Sequence, residues 1–208
     1  MKKLPLLALG CFFLFVSCGT VTMERSLAKD SYSFKQDPAK KVLLIAITGD
    51  ENNRRSVEND MKAKLIERIP DVQTSYNVIK SGESIDKLMD FIQKNKFTHI
   101  ITMRLASVQK EIELKPGAYI KTDYYSSFPV YYRDYGVYLD KTWESVYQPE
   151  TVDEHIQYTL ETNVYSLKDQ GLVYSALTSS FKGSGFDKTI YATLSTVRKD
   201  MKKAGLFK

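Results

Sequence analysis

Val42 to Thr48 (VLLIAIT) is an unbroken apolar run between Lys40-Lys41 and Gly49-Asp50. A strand buried on both faces reads this way. Val57, Met61, Leu65 and Ile69 then recur at four-residue steps. That spacing predicts a helix, with Asn53 placed to cap its start and Pro70 to stop it. Val72 to Ile79 is a second strand candidate. Ser84 can cap a second helix whose apolar stripe is Ile85, Leu88, Met89 and Ile92. Thr98 to Leu105 (THIITMRL) is a third buried strand. A β-α-β-α-β order implies a parallel sheet with right-handed crossovers.

The pattern then changes to strict alternation. Val108, Ile112 and Leu114 alternate with Gln109, Glu111 and Glu113, which predicts a strand with one wet face. Tyr158, Leu160, Thr162 and Val164 alternate in the same way with Gln157, Thr159, Glu161 and Asn163. Lys168 to Gly171 reads as a turn, with Gly171 free to take a positive φ, and Leu172 to Phe181 as the returning strand. A last helix follows Asp187, with Ile190, Leu194, Val197 and Met201 as its stripe and Gly205 at its end. The whole implies an α/β (α+β) fold: a β-α-β-α-β start, antiparallel strands and a C-terminal helix, in a two-layer or three-layer sandwich. Residues 39–208 form one domain, and an aromatic-rich insertion spans 116–149.

The first 18 residues, MKKLPLLALGCFFLFVSC, follow a different logic. Lys2 and Lys3 precede a short uncharged apolar stretch, and small Ser17 stands before Cys18. These are the marks of a secretory signal, and the apolar stretch falls short of the ~20 residues that a spanning helix needs. Phe15-Val16-Ser17-Cys18 resembles the lipobox of bacterial lipoproteins, with Phe15 where leucine is usual. The resemblance implies cleavage after Ser17 and acylation of Cys18. The expected organisation is a signal over 1–17, then lipidated Cys18 and a polar tether over 18–38. No acidic run follows Cys18, which favours an outer-membrane position facing the periplasm.

Cysteine and charge sharpen this picture. The chain has two cysteines, Cys11 and Cys18. Cleavage removes the first and acylation blocks the second, leaving no thiol to oxidise in an oxidising compartment. Losing Lys2 and Lys3 lowers the formal net charge from +5 to +3. So small a charge argues against nucleic acid as a partner.

Residues suited to catalysis are few. The two histidines, His99 in an apolar strand and His155 beside a polar strand face, have no cysteine or second histidine at ligand spacing, so no metal site is expected. No GxSxG, HExxH, CxxC or P-loop occurs, and no catalytic residue or cofactor is assigned. Gly183-Ser184-Gly185 leads into the last helix without the Walker spacing and reads as a connection. Asp50, Glu51 and Asn53 follow the first parallel strand, where open α/β sheets collect ligands. They form a weak ligand-loop candidate that extends to Arg54, against the simpler reading of a helix cap in a solvated loop.

The strongest departure from background lies between Pro116 and Pro149. Ten of the chain's 25 aromatic side chains fall there, among them Tyr119, Tyr124, Tyr125, Phe128, Tyr131, Tyr132, Tyr135 and Trp143. Tyrosine offers a large apolar face and a polar tip at low rotamer cost, so such a segment suits contact with a protein, a glycan or a membrane surface. The competing reading is a lid that packs its rings on its own sheet.

The stretches KVLLIAITGDENNRRSVENDMKAKLIERIP, NKFTHIITMRLASVQKE and YTLETNVYSLKDQGLVYSALTSSF, with the closing helix, resemble a group of small bacterial lipoproteins. In layout these are similar to the TolB amino-terminal domain, the curli-secretion lipoprotein and lipoprotein activators of penicillin-binding proteins. The resemblance implies envelope assembly or partner binding without catalysis, and carries over no site residue. The expectation is a lipid-anchored, non-enzymatic envelope protein with a protein or glycan partner. The alternatives are a homo-oligomeric structural or secretion component, and a ligand-binding or hydrolytic enzyme built on the Asp50–Arg54 loop.

Overall fold

A computed structural model of the chain describes residues 21–30, 32–36, 40–80, 83–110, 136, 156–181 and 186–207. Cys18, His155, the link 182–185 and the eight aromatic candidates from Tyr119 to Trp143 lie outside the described residues. The fold is mixed α+β. Strands β1 (Val21–Ala28), β2 (Lys41–Ile47), β3 (Asp71–Thr74), β4 (His99–Lys110), β5 (Ile156–Ser166) and β6 (Gly171–Phe181) form one sheet in the order β1-β6-β5-β4-β2-β3. β2 pairs in parallel with β3 and β4, and the other three pairings are antiparallel. The described helices are α1 (Glu51–Leu65), α2 (Ile85–Lys94) and α3 (Phe186–Lys203).

Two cores explain the unbroken apolar run of β2. Val42, Leu44 and Ala46 pack with α1 and α3 on one face, while Leu43, Ile45 and Ile47 pack with α2 on the other. A central strand sandwiched by helices needs an apolar residue at every position. The helix stripes follow suit: Val57, Met61 and Leu65 of α1, with Ile69 just beyond it, and Ile190, Leu194, Val197 and Met201 of α3 are buried in the first core, and Leu88 and Ile92 of α2 in the second. Helices α1 and α3 run side by side in the same direction. The Ser56 hydroxyl reaches Asp187 at 3.3 Å near their starts, and Arg198 reaches Glu67 at 3.4 Å further along.

The structure departs from the sequence reading in several places. Val21–Ala28, expected within a tether, is an edge strand paired with β6 from Val21↔Ser180 to Ala28↔Tyr174. Its backbone ladder orders it, while most of its side chains remain outside the core. Val72 to Ile79 is strand only to Thr74, because the chain then turns into a short 3₁₀ segment, Ser75–Asn77. Thr98–Leu105 and the start of the strand expected from Val108 are one strand, β4, with an irregularity between Leu105 and Ser107. Asp50 rather than Asn53 caps α1: its carboxylate accepts the Asn53 amide at 2.7 Å. In the β5–β6 turn the positive φ falls on Gln170, at 49°, and not on Gly171, whereas Gly205 takes 88° behind α3.

Candidate functional site

Two enclosed ion-pair networks dominate the polar interior, and both sit along the carboxyl-terminal half of the parallel strands. The first is built on α1. Arg54 and Glu58 are one turn apart, both with side chains 0% exposed, and Arg54 Nε lies 3.3 Å from Glu58 Oε1. Arg54 also donates to the Ile79 carbonyl at 2.7 Å, to Ser75 Oγ at 2.8 Å and to Glu51 Oε2 at 3.4 Å. Glu58 accepts the Ala46 amide at 3.0 Å, the Ser75 hydroxyl at 2.6 Å and the Tyr76 amide at 3.1 Å. Burial pushes the Glu58 carboxyl above the ordinary glutamate value; the Ser75 hydroxyl, the Ala46 amide, the Arg54 guanidinium and the Tyr76 amide draw it partly back. Both oxygens are occupied and shielded. The pair ties α1 to the end of β2 and to the segment that follows β3.

The ligand-loop candidates belong to this network or border it. Asp50 is the cap, and Glu51 pairs with Arg54 and, at 3.5 Å, with Arg55. Asn53 contributes its backbone amide to the Asp50 carboxylate. The loop therefore brings together groups that stabilise one another and the start of α1.

The second network lies across β4 and β5. Arg104 Nε stands 2.6 Å from Glu161 Oε2, with side chains 7% and 2% exposed, and Asn163 Nδ2 donates to Glu161 Oε1 at 2.9 Å. Alternation places Thr102, Arg104, Glu161 and Asn163 on the face of Ile100 and Tyr165, which belong to the α2 core. Thr102 and Asn163 are register partners, and Thr102 Oγ1 and Asn163 Oδ1 are buried without a hydrogen-bond partner among the described residues. Thr159, Glu161 and Asn163, expected from alternation to line a wet face, are all buried. The available signal was Arg104, a lone cation within an apolar strand, which needs a carboxylate on its neighbour.

His99 is likewise enclosed. It contacts Thr98 Oγ1 through Nδ1 at 2.8 Å and the Tyr32 hydroxyl through Nε2, and packs 5.0 Å from the Phe34 ring. Near α3, the Tyr174 hydroxyl donates to Asp200 at 2.9 Å, and burial together with that bond pushes its pKa far up. Among the described residues no group of three His, Cys, Asp or Glu side chains is disposed to hold a metal ion. No described helix is long and apolar enough to cross a membrane.

One end of the sheet gathers the chain's other features. Val21, Ser180, Tyr158 and Val108 form a single cross-strand row. One residue beyond it lie Phe181 and Gln157, and the next pair, Lys110↔Ile156, marks where the insertion leaves β4 and returns to β5. The aromatic segment thus springs from the same end at which β1 begins.

No family model matches the chain, and no curated protein matches it. Among solved structures it is similar to the PelC dodecamer from Paraburkholderia phytofirmans, with a TM-score of 0.47 at 10% identity, over 90% of this chain and 99% of that one. A variant of that PelC dodecamer gives 0.44 at 12% identity, over 91% and 100%. Likeness at this level assigns neither a family nor a function.

Proposed function

We propose that the chain is a lipid-anchored component of a bacterial envelope that binds or assembles with a partner and carries out no catalysis. One observation carries the reading: only Gly19 and Thr20 separate Cys18, at the end of the signal-like leader, from Val21, the first residue of β1. An acylated Cys18 would hold the folded domain directly at a membrane, with buried acyl CH₂ groups contributing ~0.8 kcal/mol each. The proposed position is the outer membrane, facing the periplasm. The order β-α-β-α-β, antiparallel strands and closing helix supports grouping the chain with the small envelope lipoproteins it resembles. Engagement of Asp50, Glu51 and Glu58 in caps and ion pairs supports a binding role over a hydrolytic one.

The proposed working surface is the aromatic insertion, Tyr119 to Trp143, and its partner an envelope protein or glycan. Chemical cross-linking in cells, followed by mass spectrometry of captured material, tests this. Joint replacement of Tyr124, Tyr125, Tyr131 and Tyr132 by serine should abolish capture while leaving the unfolding midpoint unchanged. Loss of folding in that variant would make the rings part of the core and end the partner reading. A wild-type protein that captures only copies of itself would favour the homo-oligomeric alternative.

A further inference from the structure

We propose that the sheet end carrying Phe181 and Phe186 rests on the lipid surface, so that the domain has a fixed orientation instead of swinging from its anchor. The inference rests on the anchored reading above and adds the face that meets lipid. Three residue steps join Cys18 to Val21, so their Cα atoms are at most roughly 11 Å apart. Val21 is paired with Ser180, one strand spacing of about 4.8 Å away, and Phe181 is the next residue. The acyl chains therefore enter the bilayer within a few residue lengths of Phe181.

Phe181 is 63% exposed and Phe186 46% exposed. They flank the link from β6 to α3, and the Asp187 carboxylate next to Phe186 meets Ser56 in the second turn of α1. A phenylalanine ring left in water beside an anchor gains by burial at the boundary between headgroups and acyl chains, where the apolar faces of interfacial segments rest. Among the described residues, the other exposed large hydrophobics are Tyr191 on α3, 57% exposed with the Lys64 ammonium 3.4 Å from its ring centroid, and Ile66 and Leu27, which mark the opposite end and the edge. Ile66, 47% exposed, lies at the far end of α1, about 15 Å along the helix from Ser56. Leu27, 50% exposed, lies about 20 Å along β1 from Val21.

The cysteine content supplies a clean test. Leader cleavage and acylation leave no free thiol, so a cysteine introduced on the surface is the sole labelling site. The full acylated protein is purified from membranes as Phe181→Cys, Phe186→Cys and Ile66→Cys variants. Each is labelled with a nitroxide and placed in vesicles of phosphatidylethanolamine and phosphatidylglycerol. Power saturation then compares collision with dissolved oxygen, which concentrates in lipid, and with a water-soluble nickel chelate. The labels at 181 and 186 should gain oxygen accessibility and lose chelate accessibility, while the label at 66 stays fully aqueous. Labels at all three positions equally open to the chelate, on protein that carries its acyl chains, would overturn the orientation and leave the anchor standing. Uptake of label by the unmutated protein would mean a free Cys18, and both readings would fall.

Discussion

Arg54 and Glu58 lie one helical turn apart on α1, fully enclosed, with the guanidinium Nε 3.3 Å from the carboxylate. Around them converge the end of β2 through Ala46, the 3₁₀ segment through Ser75 and Tyr76, and the carbonyl of Ile79. Two charges taken out of water hold three pieces of chain in register, and each offsets the desolvation of the other.

A double-mutant cycle measures that dependence. Arg54→Met and Glu58→Leu should each cost about 3–5 kcal/mol, because the first leaves the buried Glu58 carboxylate without a cation and the second takes from Arg54 its buried carboxylate, leaving the partly exposed Glu51. The double variant should cost distinctly less than the sum, since it leaves neither charge. Urea unfolding of the four proteins provides the values. Strictly additive costs would show that the pair does not act as a unit.

The same carboxylate sets a pH dependence. Burial raises the Glu58 pKa in the folded protein, so the native state binds the proton more tightly than the unfolded chain does. Its contribution is present below the unfolded-state value and is lost as pH rises through the raised native value. The stability of the wild type relative to Glu58→Gln should therefore fall as pH rises from about 4 toward neutrality, since ordinary glutamate titrates near 4.3. Urea midpoints of both proteins over that range decide it. A relative stability that climbs with pH would mean that Arg54 and the donors outweigh desolvation.

Asp50 separates a cap from a ligand group. Asp50→Ala should cost about 1 kcal/mol by freeing the Asn53 amide, while Asp50→Asn, an equally good cap, should cost almost nothing. Thermal unfolding checks both. Equal destabilisation by the two changes would show that the carboxylate's charge, rather than the cap bond, matters there.

The elements most legible in the sequence are those whose pattern is dictated by burial. Val42 to Ile47 had to be apolar throughout because β2 has helices on both faces, and the stripes of α1, α2 and α3 repeat because each covers one face of the sheet. Strand β1 was illegible for the converse reason. Its residues VTMERSLA lie at a sheet edge, where the backbone ladder to β6 orders them with only Met23 and Ala28 packed against the core, too few apolar positions to show a strand pattern. Glu161 and Asn163 were misread because polarity along one strand does not reveal that a neighbour supplies Arg104. Arg54 stands in the sequence at the end of a polar loop cluster beside a helix cap; only the fold brings Ser75 and the Ile79 carbonyl to it.

Mass analysis of the amino-terminal peptide of the native protein, extracted from membranes with detergent, tests the anchored account most directly. The account predicts a chain that starts at Cys18 and bears fatty acyl chains. A peptide that starts at Met1, or a Cys18 with an unmodified thiol, would contradict it.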